Sequence, residues 1–201
     1  GLVKNANSTW LIGKPFDRDL AEALERPVRI ANDANCFALS EAVDGAGRQA
    51  AVVFGVIIGT GTGGGLVVNG EVIIGPNAIA GEWGHNPLPW PAENESPGPR
   101  CYCGKRGCIE TFLSGPGLAR DHAMINQGDL TAEAIATHAE EGDERALNTI
   151  ARYEERMARA LASVINVIDP NVIILGGGCS KIGRLYRNVP RLWNRYVFSD
   201  E

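Results

Sequence analysis

Three cysteines and a histidine in the middle of this chain have the types and spacing of a metal site. Cys101, Cys103 and Cys108 follow the pattern C-x-C-x4-C, and His85 stands upstream of them in the sequence G-E-W-G-H. Three thiolates and one imidazole are a usual donor set for tetrahedral Zn2+. Because four protein ligands leave no open coordination position, we expect this zinc to be structural rather than catalytic.

The segment between the histidine and the cysteines is rich in proline and shows neither helical nor strand periodicity. Such a segment builds no core of its own, so we expect the metal to hold it in place. Gly104 and Gly107 lie between the second and third cysteines, where a tight turn needs a positive φ or a close approach of the backbone. The sequence therefore predicts a zinc knuckle over about residues 81–110.

Three carboxylates stand where they could meet a ligand that carries several hydroxyl groups. Glu82 precedes His85 by three residues and Glu110 follows Cys108 by two, so a bound metal would draw both to one place. Asp33 lies between two asparagines at a predicted strand-to-helix junction. It is either a general base that accepts a proton from a substrate hydroxyl or the N-cap of the helix, and the pattern leaves both open.

Two glycine-rich segments follow predicted strands. Gly59–Gly65 could cradle phosphate with its backbone N–H groups and the Thr60 and Thr62 hydroxyls. It is neither a Walker A loop nor a dinucleotide fingerprint, because a strand rather than a helix follows it. Gly176–Gly178 follows an apolar strand and opens a helix, which would allow a nucleotide to approach from a second side. The alternatives are a flexible hairpin entry for the first segment and tight strand–helix packing for the second.

The predicted elements alternate between short strands and long helices. Strands are predicted at 27–31, 51–58 and 171–175, and a hairpin turn at Asn69-Gly70. Helices are predicted at 18–24, from within 32–35 to about 43, at 110–124, 132–141 and 143–168, and from about 180. The helix over 110–124 is interrupted around residues 115–117. This alternation indicates an α/β protein.

Composition narrows the class of partner. The 201 residues carry a net charge of −5, which disfavours a nucleic-acid-binding surface. The longest apolar run, around residues 52–58, is too short to span a bilayer. Cysteines spaced for metal rather than for disulfides favour a reducing compartment. We therefore predict a cytoplasmic protein that binds neither membrane nor nucleic acid.

The motif G-E-x-G-H at 81–85, followed by C-x-C-G-x-x-G-C-x-E at 101–110, resembles the ROK family of sugar kinases and repressors. Further motifs of that family match in order at 32–35, 59–65 and 175–178. The resemblance covers essentially the whole chain. Within the family, residues 4–10 and 85–90 are most similar to the bacterial fructokinase (mannokinase) branch.

The resemblance implies the actin-like ATPase (ribonuclease H-like) fold, in which two α/β lobes flank a cleft. This chain would be mainly the large lobe, with residues 1–45 as a remnant of the small lobe and 46–201 as the large lobe with its zinc loop. The Asp-x-Gly-x-Thr loop that opens the family's small lobe has no match here, and family members continue past this C-terminus. We therefore expect a piece of a longer kinase, truncated at both ends, that is inactive or nearly so alone.

The activity implied by the resemblance is phosphorylation of a hexose, with fructose as the preferred acceptor, by ATP and Mg2+. Asp33 would be the catalytic base. The sugar-binding residues would be Asn32, Glu82, His85 and Glu110. The ATP-binding residues would be Gly59, Thr60, Gly61, Thr62, Gly176 and Gly177. The zinc ligands would be His85, Cys101, Cys103 and Cys108, and the protein would be a homodimer.

Three alternatives stay open. A ROK-type transcriptional regulator would need a helix-turn-helix ahead of the kinase-like part, and none is visible in this sequence. A zinc-stabilised sugar-binding module would share the loop without the chemistry. Another hexose or N-acetylhexosamine kinase would share the chemistry with a different pocket.

Overall fold

The computed structural model describes residues 2–3 and 9–199, which fall into two compact units that divide after Asp33. The first unit contains a 3-10 turn at Thr9–Leu11 and helix α1 at Phe16–Leu24. Part of the motif at 4–10, residues 4–8, lies outside the described residues.

The strand predicted at 27–31 is wrong. These residues are irregular and mostly exposed, and no strand among the described residues pairs with them. A run of β-branched residues becomes a strand only where a neighbouring backbone accepts and donates its ladder hydrogen bonds.

The second unit contains a four-stranded sheet in the order β3-β2-β1-β4. The strands are β1 (Val52–Ile58), β2 (Thr62–Val68), β3 (Glu71–Val72) and β4 (Val172–Gly176). β1 runs antiparallel to β2 and parallel to β4. The predicted Asn69-Gly70 turn joins β2 to β3, where both residues have a positive φ as a tight hairpin requires.

Of the residues that the structure describes, those from Asp33 onward include six helices. They are α2 (Asp33–Val43), α3 (Ile109–Leu113), α4 (Gly115–Asn126), α5 (Ala132–Glu140), α6 (Glu144–Ile168) and α7 (Leu185–Trp193). The predicted interruption separates α3 from α4. The last helix begins at Leu185 rather than near 180, because Gly178–Lys181 first form a 3-10 turn.

The sheet is covered on both faces. Phe54, Val56 and Ile58 of β1 lie in the larger core with buried residues of α3 to α7. Helix α6 contributes Ile150 and Met157, both fully buried. The opposite face of the sheet packs on α2 in a smaller cluster. This arrangement is the predicted α/β architecture.

Helix α2 lies close to the sheet because neighbouring strands present glycine to it. A Cβ added at Gly55 would lie 2.8 Å from the Cβ of Ala38, and one added at Gly65 would lie 2.4 Å from the carbonyl oxygen of Ala34. Part of the Gly59–Gly65 segment is therefore strand β2, where glycine is required for packing. Only Gly59–Gly61 forms a loop.

The sheet and its packing also bear on the predicted lobe boundary at residue 45. The compact units divide after Asp33, so almost all of α2 belongs with the sheet. Assignment of these units to the two lobes stays a prediction.

A buried ion-pair network fastens the proline-rich segment to α6. Arg156 Nε and Arg159 Nη1 lie 2.7 and 2.8 Å from the Glu95 carboxylate, and all three side chains are almost completely buried. Burial alone would raise the pKa of Glu95, but hydrogen bonds from Arg159 and Arg156 outweigh it and lower that pKa to about 2. The predicted metal is therefore not the only element that could hold this segment in place.

Among the described residues, no helix combines the length and apolar character needed to cross a membrane.

Candidate metal centre and adjoining sites

A short 3-10 turn, Trp83–His85, carries the histidine and is clamped against β2. The buried Trp83 indole donates its Nε1 hydrogen to the carbonyl oxygen of Gly63 at 3.0 Å. A Cβ added at Gly84 would lie 1.9 Å from the carbonyl oxygen of Thr62, so only glycine allows this approach. The turn therefore holds His85 at a fixed distance from the sheet.

The knuckle is closed by backbone hydrogen bonds between its two ends. Leu88 donates to Gly107 at 2.8 Å, and Ile109 donates to Asn86 at 2.9 Å. Gly104 and Gly107 have φ of +87° and +69°, which confirms the predicted need for glycine between the last two cysteines.

The predicted metal ligands converge. One ligand atom from each of His85, Cys101, Cys103 and Cys108 lies within 4.8 Å of all the others. His85 Nδ1 is 3.6 Å from Cys101 Sγ, and Cys103 Sγ is 3.6 Å from Cys108 Sγ. Bond lengths of about 2.0 and 2.3 Å around a tetrahedral zinc give edges of about 3.5 to 3.8 Å. The donor set and its spacing therefore fit a closed, structural zinc site.

The second ring nitrogen of the histidine faces away from the thiols. His85 Nε2 lies 2.9 Å from the hydroxyl of Tyr102, and the two rings meet edge to face at 5.1 Å and 86°. Partial burial of this hydroxyl, followed by the negative charge of Glu110, raises the pKa of Tyr102 to about 12. Tyr102 is the middle residue of C-x-C, a position at which the motif gives no signal, and we did not predict it.

Glu110 links the knuckle to the glycine loop. It lies in the first turn of α3, and its Oε2 accepts a hydrogen bond from the amide of Thr62 at 3.0 Å. A Cβ added at Gly61 would lie 2.6 Å from the same oxygen. Gly61 and Thr62, two of the residues predicted to bind ATP, thus contact the carboxylate. Thr62 is buried, with a relative exposure of 5%.

A cavity of about 760 Å3 opens on the other side of the glycine loop. Its walls come from the loop, the start of α4, one face of α5 and the turn after β4: Gly59, Thr60, Gly115, Pro116, Ala119, Thr131, Ala132, Glu133, Ala136, Thr137, Glu140, Gly178, Cys179, Lys181 and Ile182. Gly59 and Thr60 are among the residues predicted to bind ATP. The residues of α4 and α5 were not predicted, because the sequence gives no sign that these helices face the loop.

The second glycine segment contributes only its end to this cavity. A Cβ added at Gly176 would lie 2.7 Å from the Phe37 ring on α2, and Gly177 has a φ of +84° and backs onto Ile58. Gly178 is the glycine of this segment that lines the cavity. The structure therefore places the two predicted residues in packing positions beside it.

Asn32 and Asp33 belong to the first unit, and Asp33 is the first residue of α2. The predicted start of a helix at this position is confirmed, but the strand predicted before it is absent from the described residues, so Asp33 does not lie at a strand-to-helix junction. The roles of Asn32 in sugar binding and of Asp33 in catalysis stay predictions.

The fold and the metal loop define a chain of the ROK type, and the comparison with known families agrees. The ROK family matches residues 1–201, so the chain belongs to the ROK family. It is 42% identical over 194 residues to an N-acetyl-D-glucosamine kinase of Pectobacterium atrosepticum. The matched residues cover 94% of this chain and 64% of that protein. The chain thus spans less than two thirds of the length of this relative.

Solved structures share the fold. A ROK family glucokinase from Streptomyces griseus, in complex with glucose and AMPPNP, has a TM-score of 0.82 at 27% identity. The superposition covers 95% of this chain and 65% of the glucokinase chain. A ROK family transcriptional regulator, a homolog of the E. coli MLC protein, has a TM-score of 0.75 at 27% identity, covering 90% of this chain and 47% of that chain. The predicted family and the predicted α/β fold are both confirmed. The predicted fructokinase branch gains no support from these relatives.

Proposed function

We propose that this chain carries the sugar-binding and nucleotide-binding parts of an ATP-dependent kinase that phosphorylates a hexose. The observation that carries the proposal is the junction at Glu110. This carboxylate adjoins the metal loop and also accepts the Thr62 amide of the glycine loop, whose first residues line the cavity. A sugar on one side and a nucleotide on the other would share that loop.

The sugar side offers hydrogen-bonding groups of both kinds. With Nδ1 on the metal, the neutral His85 ring carries its proton on Nε2 and donates from there. Glu82 and Glu110 are acceptors only, whereas a sugar hydroxyl both donates and accepts. Zinc at this place would supply no chemistry beyond fixing the ring and the loop.

The nucleotide side is the 760 Å3 cavity, a size within the usual range for small-molecule sites. Gly59 and Thr60 on its wall would face the phosphates, and the small side chains of Ala132 and Ala136 leave room for the base. Asp33 would accept the proton of the sugar hydroxyl, and Mg2+ would neutralise phosphate charge. A cytoplasmic homodimer also stays a prediction.

N-acetyl-D-glucosamine is the first candidate for the sugar. Several proteins named N-acetyl-D-glucosamine kinase are 39 to 44% identical to this chain over 90% or more of its length. Fructose was the acceptor predicted from the shared motif at 85–90, and it becomes the second candidate.

Calorimetric titration of the zinc-loaded chain with N-acetyl-D-glucosamine, glucose, mannose and fructose tests the proposal. We expect the lowest Kd for N-acetyl-D-glucosamine, at least about tenfold below that of fructose, because buried polar groups discriminate strongly against a ligand that leaves them unpaired. Binding of none of the four sugars would contradict a sugar site. If fructose bound most tightly, fructose would again be the preferred candidate for the substrate.

The same titrations with AMPPNP distinguish the proposed kinase from a second candidate function, that of a transcriptional regulator which senses a sugar. The likeness to a ROK family transcriptional regulator favours a sugar sensor, which would bind sugar without nucleotide. The kinase proposal expects AMPPNP to bind in the cavity. We expect no rapid turnover by the 201-residue chain alone, since no Asp-x-Gly-x-Thr motif occurs in this sequence.

A further inference from the structure

Tyr102 lies at Nε2 of His85, the ring nitrogen that would remain for hydrogen bonding if Nδ1 held the metal. Its hydroxyl lies 2.9 Å from His85 Nε2. The side chain is nevertheless 64% exposed, and its ring meets the imidazole only by an edge. A side chain with so little packing can leave this position at small cost, since few contacts oppose its rotation.

The chemistry of the contact is that of a sugar hydroxyl. With Nδ1 on the metal, Nε2 would carry the ring proton and donate it to the phenol oxygen, whose own hydrogen would remain to be donated to a neighbouring oxygen. Glu110 and Glu82 are close enough to act on it electrostatically. An alcohol of the sugar would accept from the imidazole in the same way, and it could donate its own hydrogen to a carboxylate.

We propose that Tyr102 is an internal competitor of the sugar: its hydroxyl fills the place of one sugar hydroxyl at His85 in the sugar-free protein and leaves it when the sugar binds. This inference rests on the proposed function. Part of the sugar's binding free energy is then spent on replacing a hydrogen bond that the protein already makes. Tyr102 therefore sets the affinity of the site without belonging to the catalytic machinery.

Replacing Tyr102 with phenylalanine tests the competition. The variant keeps the ring and removes the hydroxyl, so the sugar no longer has to displace it. A hydrogen bond contributes about 0.5 to 1.5 kcal/mol, so we expect the Kd of N-acetyl-D-glucosamine to fall about two- to tenfold. The Kd of AMPPNP is expected to stay unchanged, because the cavity lining does not include Tyr102.

Tyr196→Phe is the control, because it also removes a hydrogen-bonded phenol hydroxyl, one that donates to Glu155 at 2.6 Å and lies outside the metal loop. We expect no change in sugar affinity for this variant. An unchanged or higher sugar Kd in Tyr102→Phe would overturn the competition. A higher Kd would show instead that the hydroxyl contacts the bound sugar.

The NMR resonance of the His85 Nε2–H proton tests the contact with Tyr102 independently of the proposed function. In the zinc-loaded, sugar-free protein we expect Tyr102→Phe to shift this resonance, and Tyr196→Phe to leave it in place. No shift would refute the contact itself, whatever the ligand. If the contact is present but the wild-type chain binds no sugar, the proposed function fails and the competition fails with it.

Discussion

Replacing Cys103 with serine is expected to abolish zinc binding and to weaken the affinity for the sugar by about tenfold or more. The four donors lie within 4.8 Å of one another on a segment with little regular structure, so three of them would bind the metal far less tightly. Without the metal, the His85 ring loses the bond that orients it. Metal content by mass spectrometry and sugar affinity by calorimetry measure the two effects.

Cys36→Ser is the control for this variant, because Cys36 is an exposed thiol on α2 outside the cluster. It should keep one zinc per chain and wild-type affinity. A metal-free Cys103→Ser protein that still bound the sugar with wild-type affinity would show that the zinc does not shape the site.

Replacing Arg156 with methionine is expected to lower the free energy of unfolding by about 3 to 5 kcal/mol, because it leaves a buried charge without one of its partners. Arg156 binds Glu95 and Asp121 at 2.7 Å each, and its guanidinium lies over the Phe112 ring. Urea denaturation of the zinc-loaded protein, with comparison of the m-values, measures the change.

Arg195→Met provides a matched comparison. Arg195 also pairs with a glutamate, Glu155, at 2.8 Å, but its side chain is 59% exposed. An exposed pair contributes about 1 kcal/mol or less. Equal destabilisation by the two variants would mean that the buried network does not hold the proline-rich segment to α6.

The sequence predicted best those features that depend on residues close together in the chain. The metal donors were recognisable because ligand spacing within a knuckle is local. Helix α6 was predicted because its apolar residues repeat at the helical period over 25 residues. The two glycines of the knuckle were predicted because a tight turn imposes its own backbone conformation.

Features that depend on distant contacts were missed. Glu95 and Arg156 are 61 residues apart, and nothing local marks either as buried. The glycines of β2 were interpreted as phosphate-binding residues. Their observed role is to let α2 pack close to the sheet, and α2 is a separate element that precedes them in the chain. The strand at 27–31 failed for the complementary reason, since its local pattern has no partner among the described residues.

We infer that a metal-ordered loop presents Glu110 to a sugar hydroxyl. The most direct measurement is the Kd of N-acetyl-D-glucosamine for zinc-loaded Glu110→Gln against that of the wild type. The glutamine can still accept the Thr62 amide through its side-chain oxygen, so the loop should persist and the melting temperature should change little. Loss of the charged acceptor is predicted to raise the Kd by about tenfold or more, as expected for a hydrogen bond to a charged group. An unchanged Kd, with zinc bound and the fold intact, would contradict the claim.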